Sequence, residues 1–274
     1  MEVFGKAHPG RLYDVGIAEE HAVTMAAGMA ASGMKPYVAV YSTFLQRAFD
    51  QIATDVCIGA LPVTFLIDRA GLVGADGVTH QGVFDLGYLS MLPNMVVAAP
   101  RDVRDLKRLV RLSAEYDGPM AIRYPKDGED LGANMESHKP FQIGEWEILT
   151  SGEDVMFLAV GRMVQSAMNA SIELMKRGVR AGVVDARFVK PMDEQVLRQA
   201  LKARLLVTAE ENVLSGGLGE RVLAWLAENA PGHEALTLAV PDRFVAHASM
   251  ESQLRQCGLD AHGLAESVLA RLRR

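Results

Sequence analysis

Apolar residues along this chain fall into short runs separated by polar, glycine-rich breaks. Residues 61–68 (LPVTFLID) and 154–161 (DVMFLAVG) are nearly continuous apolar runs, the pattern of a strand buried on both faces of a parallel sheet. Shorter β-rich runs lie at 35–42 (KPYVAVYS), 95–100 (MVVAAP) and 119–126 (PMAIRYPK), the last stopped by Pro125. Between them the period lengthens. Residues 19–33 are rich in alanine and methionine and end at Gly33, which predicts a helix. In 43–59, Phe44, Ala48, Ile52 and Val56 recur at helical spacing, and 101–116 reads as an amphipathic helix. Residues 69–85 (RAGLVGADGVTHQGVFD) are too long and too rich in glycine for a tight turn, which predicts a functional loop.

Residues 126–142 hold no periodic apolar pattern and read as a linker. The alternation then restarts, with strands at 154–161, 180–187, 204–211 and 234–241, and helices at 164–178, 193–203 and 218–230. Strands alternating with helices on both sides of a linker predict an α/β protein with two parallel sheets. We set the first domain at residues 1–126, the linker at 127–142 and the second domain at 143–274. The chain shows no internal repeat beyond that shared style and no low-complexity tract.

The composition, 49% hydrophobic and 23% charged over 274 residues, is that of a soluble globular protein. A net charge of −6 argues against a nucleic-acid-binding surface. No apolar run approaches the roughly 18 residues of a membrane span, and residues 1–15 lack the apolar core of a signal peptide. Cys57 and Cys257 sit in periodic apolar stretches and read as reduced, buried thiols, so a cytoplasmic location is the default expectation.

Open α/β sheets bind ligands beyond the carboxyl ends of their strands. In the first domain those ends carry Glu19, Glu20, Tyr41 to Phe44, Asp68 to His80 and Arg123 to Lys126, with Arg47 nearby. The same charges would also serve as helix caps and surface ion pairs, and Glu19 or Glu20 would suit the positive end of a helix dipole. Glu19, Glu20 and His21 are consecutive, so they cannot share one helix face as a metal site. The glycine clusters GADG (74–77) and SGGLGE (215–220) match neither nucleotide-binding glycine fingerprint and read as turns. Glu210, Glu211 and Asn212 end a strand, and a structural role is the expectation for all three.

The stretches DVGIAEEHAVTMAAGMAASGMKPYVAVYSTFLQRAFDQI (14–52) and IDRAGLVGADGVTHQGVFDL (67–86) resemble the 1-deoxy-D-xylulose-5-phosphate synthases of the transketolase superfamily. RYPK (123–126), DARFVKPMDE (185–194) and VTAEENVLSGGLGE (207–220) continue the resemblance over nearly the whole chain. It implies a pyrimidine-binding domain followed by a transketolase C-terminal domain, and a homodimer of the full enzyme. It implies thiamine diphosphate as cofactor, with pyruvate and D-glyceraldehyde 3-phosphate joined to 1-deoxy-D-xylulose 5-phosphate with loss of carbon dioxide. Glu19 matches the glutamate that bonds the far nitrogen of the cofactor's aminopyrimidine. Phe44 matches the aromatic that stacks on that ring. Tyr41, Arg47, Asp76 and His80 match substrate-side residues, with His80 also counted as catalytic. Arg69 and Arg123 match the pair expected to hold the substrate phosphate, for which a guanidinium fork is suited.

Glu20 stands where the family often has glutamine, and Lys126 where it usually has arginine. The family's Gly-Asp-Gly motif and later asparagine, which bind the diphosphate and Mg2+, are not found. The expectation is therefore a pyrimidine-binding domain incomplete at its N-terminus, with a separate diphosphate-binding domain supplying the metal ligands and no metal site of its own. Such a chain is expected to be inactive alone. Two other readings stay open: half of a different thiamine-diphosphate enzyme, such as a transketolase or the β subunit of a 2-oxo acid dehydrogenase, or an inactive assembly module.

Overall fold

The first apolar runs become strands because hydrophobic residues fill both faces of the backbone ribbon, and the periodic segments wind as helices across them. The computed structural model describes residues 2–126 and 141–273. Helices α1 (Glu2–Ala7) and α2 (Glu19–Ala31) lead to β1 (Tyr37–Tyr41). A long helical segment follows as α3 (Ser42–Leu45), a 3-10 turn (Gln46–Ala48), α4 (Phe49–Gln51) and a π-helical stretch (Ile52–Cys57). Next come β2 (Thr64–Asp68), two 3-10 turns (Gly74–Asp76 and Val78–His80), α5 (Asp85–Ser90), β3 (Val96–Ala98), α6 (Val103–Glu115) and β4 (Met120–Arg123). Most of the expected linker, residues 127–140, lies outside the described residues.

Beyond it lie β5 (Glu147–Thr150), β6 (Val155–Ala159), α7 (Met163–Met175), β7 (Ala181–Asp185), β8 (Phe188–Lys190) and α8 (Glu194–Ala200). The chain closes with β9 (Leu205–Val213), α9 (Leu218–Asn229), β10 (Glu234–Val240), α10 (Met250–Cys257) and α11 (Ala261–Leu272). No helix among the described residues is long and apolar enough to cross a membrane. Cys57 is buried as expected, whereas Cys257 at the end of α10 is only partly covered.

Two five-stranded sheets result, ordered β1-β2-β4-β3-β8 and β10-β9-β6-β7-β5. Four strands of each run parallel, as the alternating pattern predicts, and each sheet carries one antiparallel edge strand that it did not predict. One of these, β8, belongs to the second half of the sequence yet pairs with β3, matching Val97 to Lys190 and Ala98 to Phe188. The sheets are therefore not cleanly divided by the linker. One hydrophobic cluster accordingly runs from Phe65 and Ile122 through Phe188 and Leu158 to Leu206 and Trp225. The seam also buries charge. Arg101 before α6 meets Asp185 at 3.3 Å and Glu147 at 3.1 Å, and Arg187 meets Asp185 at 2.8 Å. Burial raises the Asp185 carboxyl, and raises Asp105 in α6 to about 6.

The helical segment after β1 shows how sequence sets local geometry. Four-residue spacing drifts by about 40° per step on an α-helix. Ala48, Ile52 and Val56 are all fully buried nonetheless, because the backbone is wound more widely through Ile52–Cys57.

Candidate active site

Strands β1 and β2 are in register, with Tyr41 opposite Asp68, so their carboxyl ends open side by side. That placement assembles a continuous side-chain cluster. The Arg69 guanidinium lies 3.8 Å over the Tyr41 ring, and Tyr41 stacks on Phe44 with centroids 5.7 Å apart. The His80 ring meets Phe44 edge-on at 5.5 Å, and Arg47 covers another part of Phe44 at 5.1 Å. Arg47 Nη1 also reaches Glu19 Oε1 at 3.3 Å. Glu19 opens α2, where no side chain caps the first turn, and its carboxylate is 11% exposed. His80 Nδ1 is 3.0 Å from the Thr79 hydroxyl, and Thr43 donates to the Thr79 carbonyl, tying the loop to the helix that carries Phe44.

The opposite flank is ionic. Arg69 bonds Asp68 at 2.8 Å and Asp76 at 3.2 Å, and Lys126 Nζ bonds Asp76 at 2.7 Å. These cations, Lys126 first, hold the Asp76 carboxyl below the usual range. Arg69 sits at φ 56°, a left-handed conformation that costs a residue with a side chain roughly 1–2 kcal/mol. Asp68 Oδ1 accepts its amide at 2.7 Å and helps to hold it there. Two cations, Lys126 three residues past the end of β4 and Arg69 one residue past β2, thus flank a single carboxylate.

Seven of the eight expected site residues join this cluster: Glu19, Tyr41, Phe44, Arg47, Arg69, Asp76 and His80. Arg123 does not. It is the last residue of a strand buried throughout, and its guanidinium turns inward to Asp85 of α5, at 3.0 and 3.1 Å, and to the carbonyls of Gly82 and Glu211. Its Nε and Nη2 are engaged in the interior, and none of the bonds found for it joins Arg123 to Arg69. Lys126 occupies the place beside Arg69 instead. Sequence reasoning places Lys126 among the residues at the carboxyl ends of the strands and notes its departure from arginine, but gives it no role. Asp68, the terminal residue of β2, is likewise placed at a strand end by the sequence without a role.

Glu210, Glu211 and Asn212 are buried, and each holds a different element. Glu210 accepts from the amides of Leu218 and Gly219 at 2.8 Å each, capping α9, and burial raises it to about 7. Asn212 accepts from Leu86 at the start of α5, and Glu211 reaches the loop before Asp76. The structural role expected of the three agrees with these bonds. Among the described residues, no group of three or more His, Cys, Asp or Glu is placed to hold a metal ion.

Half-exposed Phe44 and the Glu19 carboxylate both contact Arg47, and an aromatic ring with an acid nearby fits a planar, nitrogen-bearing heterocycle. The Arg69–Lys126 flank fits an anion able to replace Asp76.

Comparison with known proteins gives a consistent relationship. Residues 1–128 match the transketolase pyrimidine-binding domain and residues 144–264 the transketolase C-terminal domain. The chain is 48% identical over 271 residues to the 1-deoxy-D-xylulose-5-phosphate synthase of Lachnoclostridium phytofermentans, covering 98% of this chain and 43% of that protein. It is 49% identical to the Aquifex aeolicus protein of the same name, covering 97% of this chain and 42% of the relative. Among solved structures, one described as a split gene transketolase, inactive beta4 tetramer, superposes with a TM-score of 0.88 at 31% identity, covering 97% of this chain and 86% of that one. A Campylobacter jejuni transketolase shares the fold, with a TM-score of 0.75 at 19% identity, covering 93% of this chain and 39% of that one.

Proposed function

The chain belongs to the transketolase family, and from that premise we propose that it supplies the pyrimidine-binding half of the active site of a 1-deoxy-D-xylulose-5-phosphate synthase. The observation that carries this reading is the single cluster running from Glu19 through Phe44 and Tyr41 to Arg69, Asp76 and Lys126, with His80 at its side. The domain division 1–126 and 143–274 goes with it.

Thiamine diphosphate, when bound, supplies a carbon nucleophile and an electron sink for joining the two-carbon part of pyruvate to an aldehyde. Glu19 would hold a proton at a nitrogen of the pyrimidine, and the Phe44 ring would orient that heterocycle by stacking. Arg69 and Lys126 take the phosphate of D-glyceraldehyde 3-phosphate, displacing Asp76 from between them. Lys126 serves as a point charge and Arg69 as the two-pronged partner. His80, with Nδ1 engaged by Thr79, has Nε2 to exchange a proton with substrate oxygens. Arg123 is assigned no substrate contact. The diphosphate and Mg2+ are assigned to a further domain, as the relatives' greater length suggests. Dimerisation and a cytoplasmic setting belong to the same reading.

The related split gene transketolase structure favours a second reading, half of a ketose-transferring enzyme, but its 31% identity is well below the 48% shared with a synthase. Product analysis separates the two. The chain, combined with a synthase diphosphate-binding domain, is given glyceraldehyde 3-phosphate with either pyruvate or a ketose phosphate donor. 1-Deoxy-D-xylulose 5-phosphate formed from pyruvate alone supports the synthase. Transfer only from the ketose donor overturns it.

A further inference from the structure

The loop between β2 and α5 carries Asp76 and His80, and its backbone is held partly by its own domain, through Ala70 to Tyr124 and short turns at Asp76, Gly77 and His80, and partly from beyond the linker. Gly71 and Gly82 close its base by exchanging N–H···O bonds of 2.6 and 2.8 Å. Above that base, three consecutive residues are each gripped by a buried side chain. Leu72 donates its amide to Glu211 at the end of β9, and its carbonyl accepts from Arg162 before α7 at 3.1 Å. Arg162 in turn binds Glu211 through two nitrogens, one at 2.6 Å. Val73 donates to Gln81 at 2.9 Å, and Gln81 reaches across to the Val245 carbonyl. Gly74 donates to Gln253 of α10 at 2.8 Å, and its carbonyl accepts from the same side-chain amide, which also donates to Ala246. Past the loop, Val213 donates to Val83 and Asn212 accepts from Leu86.

Glutamine at position 253 is fully buried, which is costly unless its amide is satisfied. Every bond found for it serves to join α10, the segment before it and the loop. The fit is also steric. A Cβ on Gly71 would meet Glu211 at 3.0 Å, and one on Gly74 would meet the Met250 amide at 3.2 Å, with both glycines at positive φ. The second half of the chain therefore touches the loop at its start, middle and end.

We propose that Glu211, Arg162 and Gln253 are positioning residues: the C-terminal domain sets the place of Asp76 and His80 by holding residues 72–74, so the anion site is shared between domains. The bonds that the three make to the loop and to one another do not run to the cluster. The assignment of an anion to that cluster rests on the function proposed above, whereas the grip on the loop does not.

The test is amide hydrogen exchange on this chain, read in peptides covering 69–82, with Gln253→Leu, Gln253→Glu and Arg162→Met. Gln253→Leu speeds exchange at 72–76 at least tenfold and leaves β6 and α7 unchanged. Gln253→Glu keeps an acceptor for the Gly74 amide and recovers most of the protection there. Arg162→Met speeds exchange at Leu72. A loss of stability without a positioning role would raise exchange throughout and would not be rescued at Gly74 alone. Unchanged exchange in 69–82 for folded Gln253→Leu and Arg162→Met overturns the proposal. If Gln253→Leu does not fold, Gln253→Glu and Arg162→Met decide it by the same readout. Titration with inorganic phosphate, followed at His80 by NMR, is the second arm. The Gln253→Leu substitution weakens phosphate binding several-fold; absence of phosphate binding by the unsubstituted chain contradicts the proposed function but leaves the exchange result standing.

Discussion

At the scale of single residues, the contrast is between Arg123, bonded to the buried Asp85, and Lys126, bonded to Asp76 in the cluster. Both lie in RYPK, three positions apart, and a sequence offers no direct sign of which one points into a cleft. In a half-exposed strand, alternation would decide; β4 is buried on both faces and gives no alternation to read. Arg123→Met is expected to cost about 3–5 kcal/mol in urea unfolding, because it strands the buried Asp85 carboxylate. Adding Asp85→Leu recovers part of that loss. Lys126→Met is expected to leave stability nearly unchanged and weaken phosphate binding on the order of tenfold, as loss of a bond to a charged group does. Equal effects of the two on stability would contradict this division.

Glu210 makes the second residue-scale prediction. Its carboxyl is raised from 4.5 to about 7 by burial. Between those values the folded chain holds a proton that the unfolded chain has released, so stability falls as pH rises across that window. The full effect is about 3 kcal/mol, and Asp105, raised to about 6, acts in the same direction. Urea midpoints at pH 5 and pH 8 test this by difference, since Glu210→Gln removes only its own share. A pH slope unchanged by the substitution would contradict it.

At the scale of elements, most strands and long helices were legible as runs and periods. The expected helix at 101–116 is found as Val103–Glu115 and the strand at 61–68 as Thr64–Asp68. The edge strands β5 and β8 were not legible, being four and three residues long and held by pairing with distant partners. Helices α10 and α11 also went unread, although Ser249 and Asp260 each accept a backbone amide as their N-caps. The loop 69–85 reads as functional from its length and its glycines, and its geometry explains three of them, Gly71, Gly74 and Gly82. A Cβ on Gly82 would lie 2.3 Å from the Arg69 carbonyl oxygen, so Gly82→Ala must break the Gly71–Gly82 bridge. It is expected to cost about 1–3 kcal/mol, the usual toll of overpacking, and to weaken phosphate binding as well. Full binding with normal stability in Gly82→Ala would show that the bridge does not shape the site.

At the scale of the whole molecule, the two halves share a strand, a hydrophobic cluster and a buried ionic seam. The linker pattern suggested independent units, because a three-residue strand crossing from one half to the other leaves almost no mark in a sequence. Calorimetry is expected to show one unfolding transition with matching calorimetric and van't Hoff enthalpies. Two resolved transitions would mean that the seam contributes little. Of the cluster itself, the sequence pattern located the strand ends, while the residue roles came from resemblance; geometry then grouped seven of the eight residues and set Arg123 aside.

The central claim is that Glu19 and the cluster beside it form the pyrimidine half of a synthase active site. The most direct measurement is formation of 1-deoxy-D-xylulose 5-phosphate when this chain is combined with a synthase diphosphate-binding domain, thiamine diphosphate, Mg2+, pyruvate and D-glyceraldehyde 3-phosphate. The account predicts product from the combined parts, none from either alone, and a loss of about 10²–10⁴-fold for Glu19→Ala, the scale of a positioned proton-holding group. Product formation that Glu19→Ala leaves intact would contradict it.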